Sequence, residues 1–170
     1  RLNRRNAYSY WAHEVVVSRH LEGRGEMRID FVQFEPRGYH TCTDVSAIEG
    51  GTFTCYEVKS CIADLRSGHG LNFIGDVNWL VMPVEMYEPY KSLLADDKEL
   101  AGRTWRAGFL LFGKGRGGWP AFQEVAPSFT NLNMRKRAAS ELLLCMMRAL
   151  LANSDHAEVN HEIRQTVDGN

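Results

Sequence analysis

Short apolar runs, separated by turns that contain glycine or proline, follow one another along this chain. Residues 52–60 are rich in β-branched and aromatic side chains and come directly after the turn pair Gly50-Gly51, which predicts a strand. Four further segments have the alternation or the continuous apolar character of strands: 27–34, 76–83, 107–112 and 121–125. A glycine-rich turn at 113–118 predicts that the last two of these form a hairpin.

Apolar residues at helical spacing predict four helices: 6–21, 60–66, 86–94 and 134–153. Ser60 is expected to cap the second helix, and residues 39–51 are expected to form a loop. The order α-β-β-α-β-α-β-β-α predicts the α/β class, with a central mixed β-sheet flanked by helices. We expect one domain over residues 1–153, followed by a polar tail over 154–170.

The composition is that of an ordinary globular chain and limits the classes of partner. Of 170 residues, 44% are hydrophobic and 24% are charged, and the net charge of -1 gives no general attraction to nucleic acid or to membranes. Binding to either must therefore come from local patches. No run approaches the roughly 20 apolar residues that span a bilayer and no signal-peptide pattern is present, so we expect no membrane partner and a cytoplasmic location. The sequence begins at Arg1 and not at a methionine, so we expect it to be a piece of a longer chain.

The tripeptide Glu57-Val58-Lys59 carries the strongest candidate chemistry. Residues two apart on a strand point to the same face, so Glu57 and Lys59 should lie side by side while Val58 points to the other face. Such a carboxylate and ammonium could form a plain ion pair at the surface of a sheet. They could also form a metal ligand beside a lysine that transfers a proton or stabilises charge.

Two further acidic residues stand at unusual places in the predicted elements. Asp30 interrupts the β-prone run 27–34, although aspartate is depleted in strands. It is either an aspartate on an edge strand or a ligand held rigidly by its strand. Glu14 borders the inward face of the predicted first helix, where it is either an ordinary helix-edge carboxylate or part of a site.

Asp30 on one strand, Glu57-x-Lys59 on the next and Glu14 on a preceding helix resemble the PD-(D/E)xK nuclease superfamily, which has the restriction-endonuclease-like fold. The longer runs 56–66 and 75–83 are similar to the small MmcB-like bacterial DNA-repair proteins, and the resemblance covers roughly residues 7–150. Ile29 stands where the superfamily has its name-giving proline, and residues 36–51 are longer than the MmcB-like layout.

The resemblance implies a Mg²⁺- or Mn²⁺-dependent deoxyribonuclease, acting in DNA repair or in phage or mobile-element biology. Asp30, Glu57 and the carbonyl of Val58 would hold the metal, Glu14 would support a second ion or a metal-bound water, and Asp30, Glu57 and Lys59 would be catalytic. The alternative is a nuclease-fold protein without turnover that binds DNA or a protein partner. Several nucleases of this superfamily act as dimers, so a homodimer is open, although the sequence marks no interface.

The expected partner, DNA, needs local positive charge. Basic side chains near the glycine-rich turn and at the start of the final helix supply it, and the resemblance adds one arginine on the second helix. The candidates for phosphate contact are Arg66, Lys114, Arg116, Arg135 and Arg137.

Overall fold

A six-stranded mixed β-sheet organises the protein, and its strands lie in the sheet in the order in which they occur in the chain. The computed structural model describes residues 9–18, 26–38, 44–118, 120–126 and 135–168, except for the side chains of Arg116 and of residues 155–168. The strands are β1 (Tyr10–Ser18), β2 (Glu26–Glu35), β3 (Thr52–Val58), β4 (Val77–Pro83), β5 (Gly108–Lys114) and β6 (Pro120–Ala126). Strands β3, β4 and β5 are parallel, and the remaining neighbours pair antiparallel. The predicted α/β class with a mixed sheet is therefore confirmed.

Five α-helices are described: α1 (Val45–Glu49), α2 (Ile62–Ser67), α3 (Tyr87–Asp96), α4 (Lys98–Thr104) and α5 (Ala139–Asp168). Short 3-10 turns cover Val84–Met86 and Arg116–Gly118. Within the described ranges, no helix is long and apolar enough to cross a membrane.

The predicted first helix over 6–21 is wrong, because its central part is strand β1. β1 pairs antiparallel with β2 from Tyr10 opposite Phe34 to Ser18 opposite Glu26. The β-branched run at residues 15–17 favours an extended backbone, and pairing with β2 lets Ala12, Val15 and Val17 enter an apolar core. Residues 6–8 and 19–21 of that prediction lie outside the described residues.

The other differences from the prediction concern two helices that were not predicted and the cap or the bounds of two others. The segment predicted as a loop contains α1, whose first turn is capped by Asp44 through its carboxylate and the N–H of Ser46 at 2.9 Å. The N-cap of α2 is Cys61 and not Ser60. Asp97 caps the unpredicted helix α4, and α5 starts five residues later than expected and continues through the predicted polar tail to Asp168.

Two apolar cores hold the helices against the sheet. The first joins α5 to β1, β2 and β3, with Phe34, Phe53 and Leu142 at its centre. The second joins α2, α3 and α4 to β4 and β5, with Leu65 and Leu80 fully buried.

Both cores lie on the same face of the sheet. Glu57 of β3 pairs with Leu80 of β4, and paired residues of neighbouring strands point to the same face. Cys55, two residues before Glu57, belongs to the first core, and Leu80 belongs to the second. The parallel crossovers from β3 to β4 and from β4 to β5 run in one direction, so right-handed connections place their helices on one side.

The opposite face of the sheet carries a separate apolar cluster that contains strand residues alone. Tyr56, Val81 and Leu110 form its centre, and the side chains of Trp11, Val58 and Trp79 pack around them. None of the described helices contributes to this cluster. The sheet is therefore covered by helices on one side in the part of the chain that the structure describes.

Candidate functional site

A cleft of about 1080 Å³ opens beside the carboxyl end of β3. We call it the charged cleft. Its acidic lining residues are Glu26, Asp30, Glu57 and Asp64, and its basic ones are Arg28, Lys59, Arg103, Lys136 and Arg137. These residues come from β2, β3, α2, α4 and the segment before α5, so the cleft lies where elements of both cores meet.

Glu57 is the most constrained acid in the charged cleft. Its side chain is 6% exposed, and its Oε1 lies 3.0 Å from Nζ of Lys59. Its Oε2 is buried and finds no hydrogen-bond partner within the described part of the chain. Burial raises the pKa of Glu57 to about 7, against the hydrogen bond from Lys59, and the negative charges of Asp30 and Asp64 add to the rise. Glu57 therefore has a pKa near neutral pH and presents to the cleft one oxygen that no described residue pairs with.

Lys59 lies buried between two carboxylates. Its Nζ contacts Glu57 at 3.0 Å and Oδ1 of Asp64 at 3.4 Å, and its backbone N–H donates to the carbonyl of Val81. The predicted alternation is confirmed, because Glu57 and Lys59 share the cleft side while Val58 packs in the cluster on the other face. Glu57 forms an ion pair with Lys59 and also has a buried oxygen that no described residue pairs with. This geometry is compatible with a plain ion pair and with a metal ligand beside a lysine.

Asp30 adjoins Glu57 from the neighbouring strand. The pairing of β2 with β3 runs from Glu35 opposite Thr52 to Phe31 opposite Tyr56, so Asp30 comes directly after its last paired residue, next to the carboxyl end of β3. Its Oδ2 accepts a hydrogen bond of 2.7 Å from the N–H of Val58. The fold thus brings Asp30, Glu57 and Val58 to one place, as the sequence predicted.

Glu14 does not line the charged cleft. It lies on β1 and not on a helix, with a φ of 54°, which is uncommon for a residue with a side chain. Its carboxylate pairs with Arg28 at 3.0 Å, and both side chains are largely exposed. Its predicted support of a metal therefore has no counterpart in the described cleft.

The predicted phosphate contacts are scattered. Arg137 lines the charged cleft, whereas Arg66 is exposed on α2 and Lys114 is exposed at the end of β5, both outside the cleft lining. The side chain of Arg116 lies outside the described residues.

Arg135 is placed inside the fold. Its guanidinium donates to the carbonyls of Gly51 and Glu49 and contacts Oδ2 of Asp76 at 3.4 Å. Asp76 is fully buried, its Oδ2 also accepts the N–H of Phe53, and burial raises its pKa. Arg135 therefore supplies the charge that compensates a buried carboxylate.

Sequence reasoning missed two neighbours of Glu57. The sequence patterns did not single out Asp64, yet its carboxylate shares the ammonium of Lys59. Gly70 has a φ of 75°, and a Cβ atom there would collide with the carboxylate of Glu57. The pair Gly68 and Gly70 around His69 was a detectable turn pattern, but sequence spacing does not show what the turn contacts.

We expect Gly70→Ala to displace the Glu57 carboxylate and to lower the free energy of unfolding by roughly 2–3 kcal/mol, because backbone strain and overpacking add. Gly118→Ala is the matched control, since Gly118 also has a positive φ but its Cβ would meet open space. Urea unfolding of both variants measures the difference. Equal losses would mean that Gly70 matters only for its backbone conformation.

The donor set for a metal is small. No group of three or more His, Cys, Asp or Glu side chains that could hold an ion occurs among the residues that the structure describes. Asp30 and Glu57 supply hard oxygen donors, and the carbonyl of Val58 would supply a third. The buried Oε2 of Glu57, to which no described residue donates a hydrogen bond, fits such a role, because a bound cation would satisfy it.

Comparisons with known proteins do not identify a family. No family model matches the chain, and no curated protein matches its sequence. A solved structure from Silicibacter pomeroyi, titled "SPO1766 protein of unknown function", is similar to it with a TM-score of 0.47 and 16% identity, over 95% of this chain and 83% of that one. The function must therefore be argued from the site.

Proposed function

We propose that this protein is a metal-dependent nuclease of the restriction-endonuclease-like class that hydrolyses phosphodiester bonds in DNA. The observation that carries the proposal is the Glu57 carboxylate, buried at the end of β3 with one oxygen paired to Lys59 and the other without a hydrogen-bond partner among the residues that the structure describes. A buried carboxylate without a partner for one oxygen is costly unless a ligand completes it.

Asp30, Glu57 and the carbonyl of Val58 would hold a Mg²⁺ or Mn²⁺ ion. When bound, such an ion supplies Lewis-acid stabilisation of the phosphate and lowers the pKa of a coordinated water. The hydrogen bond from Val58 N–H keeps the Asp30 carboxylate oriented next to Glu57, and Gly70 leaves the space that the Glu57 carboxylate occupies.

Lys59 would act on the substrate directly. An ammonium has three donors, and two carboxylates engage two of them. The third can donate to a phosphate oxygen or orient the attacking water, and the buried position strengthens this interaction. Asp64 and Glu57 keep the ammonium in place for that role.

The basic residues of the charged cleft support DNA as the substrate. Arg103, Lys136 and Arg137 lie along the cleft that also contains Glu57. The five basic side chains of the charged cleft outnumber its four acidic ones, and they would attract a phosphate backbone in a sequence-independent, salt-dependent manner.

A DNA-binding protein without turnover is the second candidate, and one observation favours it. Two carboxylates already compensate the charge of Lys59, and no cluster of three or more side chains that could hold a metal occurs in the described ranges. The same cleft would then bind the phosphate backbone without cleaving it.

Incubation of supercoiled plasmid with the purified protein separates the candidates. We expect nicking with Mg²⁺, none with EDTA, and a rate at least about 100-fold lower for Lys59→Met, because the charge at the phosphate is lost. Lys91→Met is the control, since Lys91 is half-exposed on α3, where its ammonium contacts Glu88 and the ring of Tyr87, and it does not line the charged cleft. Salt-sensitive DNA binding without metal-dependent cleavage would favour the non-cleaving protein, and equal cleavage by wild type and Lys59→Met would refute the nuclease.

A further inference from the structure

The outward face of α5 carries a stripe of exposed apolar side chains. The inward face of this helix packs into the first core through residues that recur at helical spacing: Leu142, Cys145, Met146 and Ala149. On the outside, four large apolar side chains are between 48% and 65% exposed: Leu144, Met147, Leu150 and Leu151. We call these four residues the outer stripe.

The outer stripe is large for a surface that faces water. With about half of each side chain exposed, its residues present roughly 400 Å² of adjoining apolar surface. A patch of this size is close to the largest that a typical monomer exposes, and such patches are often interaction sites. We therefore ask which partner the outer stripe fits.

The spacing of the outer stripe is that of the seam between two paired helices. The outward positions follow one another at alternating intervals of four and three residues: Ser140, Leu144, Met147, Leu151 and Ser154. Alternation of this kind is the a and d pattern of a coiled coil. The matching partner is therefore another helix.

The charges beside the seam specify what that helix must carry. Residues 139–154 include two charged side chains, Glu141 and Arg148, and each directly follows a seam position, so both border the seam on the same side. Glu141 lies 3.9 Å from Arg137, and Arg148 is exposed. A partner helix must place a positive charge near Glu141 and a negative charge near Arg148, seven residues apart. The same helix running in the opposite direction presents these two charges in that order.

We propose that the outer stripe binds the outer stripe of a second copy of this chain, with the two α5 helices antiparallel about a two-fold axis. A two-fold axis repeats every contact, so a residue that meets a second residue is met by it in return. An axis level with residues 145–146 places Leu144 against Met147 of the second copy, and Leu151 against the small Ser140.

The same register also matches both borders of the seam. Glu141 comes within reach of Arg148 of the second copy, and the symmetry gives two such ion pairs. On the other border, Leu143 faces Leu150 of the second copy. Each charge near the contact therefore meets the opposite charge, and the apolar border meets an apolar border.

The extent of the outer stripe agrees with this register. Since α5 begins at Ala139, the two helices would overlap over residues 139–152, which is about 21 Å of helix. The apolar seam ends at Leu151, within this overlap, and the next positions at seam spacing are Ser154, Glu158 and His161. The seam is therefore apolar where a second copy would cover it and polar beyond that point.

The area predicts a weak dimer. Two outer stripes with their bordering side chains would bury roughly 1,000 Å², which is at the lower limit for specific protein interfaces. Association is therefore expected at micromolar concentrations. The proposal goes beyond the nuclease assignment and does not depend on it.

Sedimentation velocity of the wild-type protein between about 1 and 200 μM measures the association. We expect a concentration-dependent dimer, and we expect Met147→Glu to raise its dissociation constant about 100-fold or more, because two carboxylates would enter the apolar seam. Circular dichroism verifies that each variant is folded. A wild-type protein that stays monomeric at the highest concentration overturns the proposal, whatever other partner the outer stripe binds.

Charge reversal tests the antiparallel register itself. Arg148→Glu would face Glu141 of the second copy, so we expect the dissociation constant to rise about 10-fold. Adding Glu141→Arg restores opposite charges across the seam and should return the constant to within about threefold of wild type. If the double variant associates no better than Arg148→Glu alone, the proposed pairing is wrong.

Phe122→Glu is the matched control for an exposed apolar residue elsewhere. Phe122 is 46% exposed on β6, at the groove on the sheet face opposite the helices. Its substitution should leave the dimer unchanged. A dimer that dissociates on Phe122→Glu but withstands Met147→Glu also overturns the proposal.

Discussion

Glu57→Gln is expected to lower the rate of Mg²⁺-dependent DNA cleavage about 100-fold or more while the protein stays folded. Glutamine has the shape of glutamate and can still accept a hydrogen bond from Lys59, but it lacks the charge that a hard cation needs from its ligand. Initial rates of plasmid nicking at saturating Mg²⁺ measure the loss.

Glu88→Gln makes the same chemical change on the surface of α3, where Glu88 pairs with Lys91 and is 77% exposed. It should cleave at the wild-type rate. If Glu57→Gln also kept that rate, the buried carboxylate would have no part in cleavage and the proposed site would be wrong.

The pH dependence of stability tests Glu57 without any reference to activity. The pKa of Glu57 is about 7 in the folded protein against 4.5 for an ordinary glutamate. Between these values the folded state holds a proton that the unfolded chain has released, so the free energy of unfolding falls as pH rises through this window. The contribution is fully present below about pH 4.5 and is lost above about pH 7, with a total on the order of 3 kcal/mol.

Glu57→Gln should remove this contribution, so its stability should change less than that of the wild type between about pH 5 and pH 8. Asp76, whose pKa is also raised by burial, remains in both proteins and cancels in the comparison. Urea unfolding of metal-free protein at several pH values provides the measurement. Parallel curves for the two proteins would show that Glu57 is ionised in the folded state as it is in the unfolded chain.

Arg135→Ala is expected to lower the free energy of unfolding by roughly 3–5 kcal/mol, because it leaves the buried carboxylate of Asp76 without its counter-charge. The same substitution removes donors to the carbonyls of Glu49 and Gly51 and the contact of the guanidinium with the ring of Phe53. Urea unfolding at neutral pH measures the loss.

Arg66→Ala is the matched control, since Arg66 is exposed on α2 and should change stability by less than about 0.5 kcal/mol. The two arginines were both predicted to contact DNA phosphates, and the comparison shows which one serves the fold. Unchanged stability of Arg135→Ala together with weakened DNA binding would restore the predicted role of Arg135.

The local sequence was sufficient to predict those elements whose apolar pattern agrees with their surroundings in the folded protein. β3 lies where the β-branched and aromatic run predicted it, and α3 follows Pro83 as its apolar spacing indicated. β1 was mistaken for a helix because Tyr10, Val17 and neighbouring apolar residues also fit a helical period. A helix and a strand would both bury these apolar residues, but against different neighbouring elements. Only the pairing with β2 decided that the segment is extended.

The residues of the candidate site also divide into those that local patterns predicted and those that only the fold brings together. Glu57 and Lys59 follow from strand alternation, and Asp30 was predicted as their neighbour on the adjoining strand. Asp64 and Gly70 could not be found, because their contacts with Lys59 and Glu57 depend on how α2 and the following turn lie on the sheet.

The sequence by itself determined the α/β class, most strands and the pairing of an acid with a lysine on one face of β3, because these depend on periodicities of two and 3.6 residues. Tertiary structure alone decided which charges are buried. Arg135 and Arg137 stand two positions apart, yet one compensates Asp76 inside the fold and the other lines the charged cleft. The reason is that burial and electrostatic partners are set by distances between elements far apart in the chain, which no local pattern encodes.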